Sequence, residues 1–119
     1  MKPVIELQKS DEGLQAFFEC PGCGNMHGLN INGTKRPNWK YTGTESKPTF
    51  SPSILTRWVS VPRNPEEDEN GNYILGSDGR IKGAKNEVCH SFVTNGKIRF
   101  LNDCTHELAG KTVDLKPIE

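Results

Sequence analysis

Cys20-Pro21-Gly22-Cys23 is a tight knuckle that offers two thiolates to one ion, and two more cysteines follow in Val88-Cys89-His90 and Asp103-Cys104-Thr105-His106. A tetrahedral zinc site takes four sulfur or imidazole ligands, and the second pair can arrive from far along the chain. The residues therefore predict a Zn2+ site made by Cys20, Cys23, Cys89 and Cys104. His106 is an alternative to Cys104 as fourth ligand, with His27 and His90 as weaker substitutes. Four thiolates would close the site and make it structural. Three would leave a position for water, and His106 beside that water would suit zinc hydrolysis.

A second chemistry is written in Ser53, His90 and Asp103. A carboxylate that orients an imidazole forms two thirds of a hydrolytic triad, and a hydroxyl completes it. Ser53, or Ser51 close by, lies in Pro48-Thr49-Phe50-Ser51-Pro52-Ser53, where two prolines limit the backbone around a nucleophile. Ser91 is a lesser candidate, and His106 is a second candidate for the base. The bland alternative is a histidine and an aspartate in an ordinary polar pair beside a loop serine.

The elements that must position these groups read as short strands. Val4 to Leu7 and Leu14 to Glu19 flank the polar turn Ser10-Asp11-Glu12-Gly13. His27 to Ile31 is a third strand that ends at Asn32-Gly33, a strong hairpin dipeptide. Trp39, Tyr41 and Thr42 suggest a fourth. The prolines at 48 and 52 argue against a helix or a central strand there, and Ile54 to Val61 resumes a strand after the bend. Val88 to Thr94 and Lys97 to Asp103 flank Asn95-Gly96 and predict a hairpin with a two-residue turn. In that register Cys89, Ser91 and Val93 share one face with Ile98, Phe100, Asn102 and Cys104. His90, Phe92, Leu101 and Asp103 take the other. Thr105 to Leu108 suggests one helical turn, and Lys111 to Leu115 a closing strand.

The predicted fold is mainly β: a small antiparallel domain spanning 1–119, stapled by zinc, with a long polar loop at 62–83. That loop holds Glu66-Glu67-Asp68-Glu69, several glycines and a candidate hairpin turn at Ser77-Asp78-Gly79. Only 33% of the residues are hydrophobic and the mean hydropathy is −0.66, so the core must be thin and a metal staple would offset it. Trp39, Tyr41, Phe50, Trp58, Phe92 and Phe100 read as core rather than as a ligand cage.

Fifteen basic and fifteen acidic residues cancel, which removes the electrostatic argument for nucleic acid. No apolar run resembles a signal peptide or spans a bilayer, so the expectation is the cytosol, where thiols stay reduced and favour metal over disulfide; the resemblance given next would make it a bacterial one. A protein or peptide is the expected partner.

Four blocks in order carry a family resemblance: Cys20 to Leu29, Pro48 to Leu55, Val88 to Val93 and Asp103 to Val113. Together they resemble small proteins of tailed phages and prophages that often bear the label ammonia monooxygenase. Nothing in this chain supports that label, since membrane spans and a histidine-rich copper site are both missing. The chain is more distantly similar to proteins from bacterial operons that encode ubiquitin-like proteins with their activating and conjugating enzymes. That resemblance implies a small peptidase acting on the ubiquitin-like protein, with Ser53, His90 and Asp103 or His106 at the matching positions. Serine replaces Cys104 in some relatives, which would favour His106 as the zinc ligand. The competing expectation is a non-enzymatic zinc-ribbon-like module that docks a protein through Trp39, Trp58 or the acidic loop.

Overall fold

Alternation of apolar and polar residues builds two antiparallel sheets. The computed structural model describes residues 2–11, 13–31, 33 and 36–118. Glu6–Ser10 (β1), Gly13–Glu19 (β2) and Met26–Ile31 (β3) form a three-stranded sheet in sequential order. Lys40–Gly43 (β4), Pro48–Ser60 (β5), Lys85–Thr94 (β6), Lys97–Phe100 (β7) and Thr112–Asp114 (β8) form a five-stranded sheet, also in sequential order. No helix occurs among the described residues, so the stretch 105–108 forms turns and not the expected helical turn. Asn32 of the expected Asn32-Gly33 hairpin lies outside the described residues.

The sheets bury their facing sides against each other. Ala16, Phe18, Leu29 and Ile31 from the first meet Phe50, Ile54, Val93, Ile98 and Phe100 from the second. Val4, Ile5 and Leu115 close the edges of this core. An isolated parallel bridge between Ile31 and Trp39, with Trp39 N–H donating to the Asn30 carbonyl at 2.8 Å, carries the chain from one sheet to the other. Phe50 and Phe100 are core residues as expected, whereas Phe92 lies on the outer face, with the Arg99 guanidinium 5.1 Å from its ring centre.

The Asn95-Gly96 turn sets the register of the last hairpin. Asn95 has φ 51° and Gly96 φ 78°, the two left-handed residues that a tight turn matching strand twist requires. Thr94 then opposes Lys97 and Phe92 opposes Arg99, as the spacing predicts. Cys89, Ser91, Val93, Ile98 and Phe100 consequently face the core. The ladder stops at Phe100, short of Asp103, and the chain turns there, with Cys104 N–H donating to the Leu101 carbonyl at 3.2 Å.

β5 corrects one expectation. The segment at Pro48 is part of a thirteen-residue strand that lies between β4 and β6. The prolines are accommodated because the register shifts between Phe50 and Ile54, and Pro52 falls inside that irregularity, where no regular ladder bond is required. Beyond β5, the polar loop folds on itself. Gly76 N–H donates to the Arg80 carbonyl at 2.7 Å around the expected turn, and Lys82 pairs with Glu66 at 2.8 Å across its base.

Candidate active site

The bulge in β5 and the end of the β6–β7 hairpin bring Ser53, His90 and Asp103 into one line. His90 Nδ1 is 3.0 Å from Asp103 Oδ2, and His90 Nε2 is 3.1 Å from Ser53 Oγ. With the carboxylate accepting from Nδ1–H, Nε2 is left as the acceptor for the Ser53 hydroxyl, the polarity a general base needs. The bulge matters because it releases Ser53 from the regular ladder while Leu55 stays opposite His90. Trp39 Nε1–H donates to the Ser53 carbonyl at 3.2 Å and anchors the serine backbone from the β4 side. This support was not foreseen from the sequence, since a tryptophan before a short strand carries no signal of its own.

Accessibility differs along the line. The His90 side chain is 24% exposed and that of Asp103 is 54% exposed. The imidazole is therefore partly shielded, and the carboxylate stands at the rim. Ser91 is buried on the opposite, core-facing side of β6, out of reach of this line. His106 is also elsewhere: its ring packs edge-on against Phe100, with centroids 4.5 Å apart, and against Gly22 of the knuckle.

Behind Ser53, His90 and Asp103 the sulfurs gather on the core side. Cys20, Cys23, Cys89 and His27 present ligand atoms that all lie within 4.8 Å of one another. Cys20 Sγ is 3.7 Å from Cys89 Sγ, and Cys23 Sγ is 3.3 Å from His27 Nε2. The four expected cysteines do not form one group: Cys104 clusters instead with Cys89 and His106. Its Sγ lies 3.2 Å from both the N–H and the carbonyl oxygen of His90. His27, weighed only as a substitute ligand, thus stands where Cys104 was expected. The spacing Cys-x2-Cys-x3-His from Cys20 to His27 is the signal that would have placed it first.

Electrostatics say what this cluster needs. The hydrogen bond from Cys89 holds the Cys20 thiol down at about 3, and the same bond, with burial, pushes the Cys89 thiol up. Burial also pushes the Cys23 thiol up. Crowded sulfurs cannot all ionise beside one another unless a cation balances them. His106 Nδ1 accepts from Leu108 N–H at 3.2 Å, and its buried Nε2 has no hydrogen-bond partner among the described residues. The donor set is soft and suits a metal ion.

No helix among the described residues is long and apolar enough to cross a membrane. No curated protein and no solved structure matches the chain. A protein-family profile described as "Bacterial ubiquitination-like system serine protease (BubE)" matches residues 2–101, a span that holds the β5 bulge, the knuckle and His90. With a serine, an imidazole and a carboxylate aligned at that bulge, the chain belongs to the BubE family of serine proteases of bacterial ubiquitination-like systems.

Proposed function

We propose that Ser53, His90 and Asp103 are the catalytic triad of a peptidase that acts on a protein of a ubiquitination-like system. The observation that carries this reading is the unbroken pair of hydrogen bonds, 3.1 Å from Ser53 to His90 and 3.0 Å from His90 to Asp103. In the reaction Ser53 Oγ attacks the scissile carbonyl carbon while its proton passes to His90 Nε2. The tetrahedral intermediate collapses as the C–N bond breaks, and the amine leaves with that proton. Water then attacks the Ser53 ester, losing a proton to His90, and as the acyl C–Oγ bond breaks that proton passes to Ser53 Oγ and the acid product leaves. Asp103 holds the imidazole in the useful tautomer throughout and stabilises its cationic form.

The metal in this reading is zinc, and its role is structural. Cys20, Cys23, Cys89 and His27 are the ligands. Tetrahedral zinc bonds of about 2.1–2.3 Å separate neighbouring ligand atoms by about 3.5–3.8 Å, close to the 3.7 Å and 3.3 Å found here. Cys104 is better explained as a neutral thiol, because its contact with the His90 carbonyl oxygen requires an S–H. His106 packs beside the cluster, between Phe100 and the knuckle glycine Gly22. A site closed by four protein ligands leaves no position for a reacting water, which disfavours zinc hydrolysis. The sequence blocks further suggest a phage or prophage source and a bacterial cytosolic setting.

The test is labelling by a fluorophosphonate probe, which reacts with an activated serine. Wild type should label at a single residue, and Ser53→Ala should not label at all. Labelling that persists in Ser53→Ala, or a folded wild type that never labels, overturns the proposal.

A further inference from the structure

The nucleophile stands where one edge of the large sheet changes from covered to open. β4 pairs with β5 only over Pro48–Ser51, and Trp39 closes the covered length through its bond to the Ser53 carbonyl. From Ile54 to Ser60, β5 continues for seven more residues, about 24 Å at the rise of an antiparallel strand. Only β6 flanks that length among the described residues.

The register identifies which backbone groups are free. Thr94 and Lys97 close a two-residue turn and form a hydrogen-bonded pair, so alternate residues of β6 turn their backbone toward β7. Leu101 N–H donating to the His90 carbonyl at 2.9 Å follows that phase. Cys89 and Glu87 therefore direct their backbone at β5, where Thr56 and Trp58 are their partners. Leu55, Arg57 and Val59 must point their N–H and C=O groups the other way, into the open edge. Among the described residues, no backbone hydrogen bond outside the sheet ladders uses them. Their side chains lie on the His90 face of the sheet, and Leu55 and Val59 are 42% and 49% exposed.

Native proteins blunt such edges with lysine, proline, bulges or a covering element. Along Ile54 to Ser60 there is no lysine, no proline and, among the described residues, no covering strand; Arg57 is the single charged residue. An uncovered, apolar, regular edge that begins at a nucleophile has a physical explanation if the substrate itself is the missing strand.

We infer that the open edge of β5 from Leu55 to Val59 binds the substrate polypeptide as an added β-strand and delivers its scissile bond to Ser53. The inference rests on the peptidase reading of that serine. Backbone hydrogen bonds to Leu55, Arg57 and Val59 supply affinity for any extended chain, and alternate substrate side chains meet Leu55 and Val59. A folded segment has no free backbone to offer, so the substrate class is an extended tail or linker rather than the globular part of a protein. The added strand runs in line with β4 and meets Trp39 at the Ser53 end, so the chain must end or turn there.

Arg57→Pro tests this directly. It deletes an outward N–H that the β5–β6 ladder does not use, and proline is tolerated at such an edge position. Arg57→Ala keeps the N–H and removes only the side chain. The probe is a pool of internally quenched decapeptides of randomised sequence, with fluorophosphonate labelling of Ser53 measured in parallel. The expected kcat/KM of Arg57→Pro on the pool is at least tenfold below that of Arg57→Ala, beyond any change in labelling rate. Equal values for the two variants, or a wild type that labels yet cleaves no peptide, overturn the inference. Failure of Ser53 to label sinks the peptidase reading instead.

Amide hydrogen exchange on Ser53→Ala, with the same pool at saturating concentration, reports the edge without catalysis. Slowed exchange at Leu55, Arg57 and Val59, with Thr56 and Trp58 little changed, supports the added strand. Unchanged exchange at those three amides overturns it. A wild type that sediments as a dimer with these amides already protected also overturns it, because a second copy would then be the occupant.

Discussion

Cys104 Sγ lies 3.2 Å from both the backbone nitrogen and the backbone oxygen of His90, so a buried sulfur grips the main chain of the histidine that meets Ser53. Cys89 precedes His90 and Asp103 precedes Cys104 in sequence. The core-facing sulfurs and the outward-facing histidine and aspartate therefore share two short stretches of backbone. Whatever orders the sulfurs also orders His90 and Asp103.

Chelation should expose that link. Stripping metal from the folded protein with a strong zinc chelator is expected to lower the melting temperature by more than 10 °C. Structural zinc sites contribute several kcal/mol or more to folding, and about 1 kcal/mol moves a domain of this size by about 4 °C or more. Fluorophosphonate labelling of Ser53 should fall in step with metal content measured by elemental analysis, and return when zinc is restored.

The two candidate ligand sets differ in what single substitutions do. His27→Ala is expected to abolish stoichiometric metal, whereas Cys104→Ala should retain about one equivalent and label more slowly, since His90 loses its sulfur contacts. Elemental analysis of both purified variants separates the sets. The opposite pattern would restore the four-cysteine site.

Asp103→Asn should slow Ser53 labelling by on the order of 10² to 10³, less than the roughly 10⁴ lost when a buried triad aspartate is neutralised. The reason is the 54% exposure of Asp103: water solvates the imidazolium in part when the carboxylate is gone. His90→Gln should cost more, because it removes the base itself. Labelling rate constants for both variants decide the order.

Gly22→Ala puts a Cβ 2.3 Å from His106 Cε1, far inside van der Waals contact. The ring is held between Phe100 and the knuckle, so it has little room to give. A loss of about 1–3 kcal/mol is expected, the usual cost of overpacking, read from denaturant titration. Gly24→Ala, where the added carbon meets nothing but φ is 77°, separates backbone strain from steric crowding.

Trp39→Phe keeps an aromatic side chain, though a smaller one, and removes the Nε1–H that the Ser53 carbonyl accepts. About 1 kcal/mol of stability should go with it, together with a severalfold slower labelling of Ser53. Thermal melts and labelling rates on the same sample check both.

The hairpin at Asn95-Gly96 shows why part of the site was legible in advance. A two-residue turn fixes register locally, and a strand alternates faces with period two, so Cys89 and His90 had to point in opposite directions. Ser53 could be named because prolines made its segment unusual. The strand nature of that segment was not legible: the rule against proline in a central strand fails at a bulge, and a bulge depends on pairing with β6. The sequence ranks His27 only as a weaker substitute ligand for a related reason. A ladder extended to Asp103 placed Cys104 beside Cys89 on one face, but the ladder ends at Phe100 and the chain turns.

Local chemistry in the chain by itself thus determined the strand periodicity, the turns, the donor types that could hold a metal and the three residue types of the candidate catalytic site. Tertiary structure decided the partners. Only the packing of two sheets shows that a knuckle from the first brings His27 to Cys89, and that β5 bends at Ser53 so that its hydroxyl faces His90. Only the length of β4 decides where the edge beyond Ser53 opens. These are distances between residues far apart in sequence, set by how apolar faces bury one another, and no local pattern encodes them.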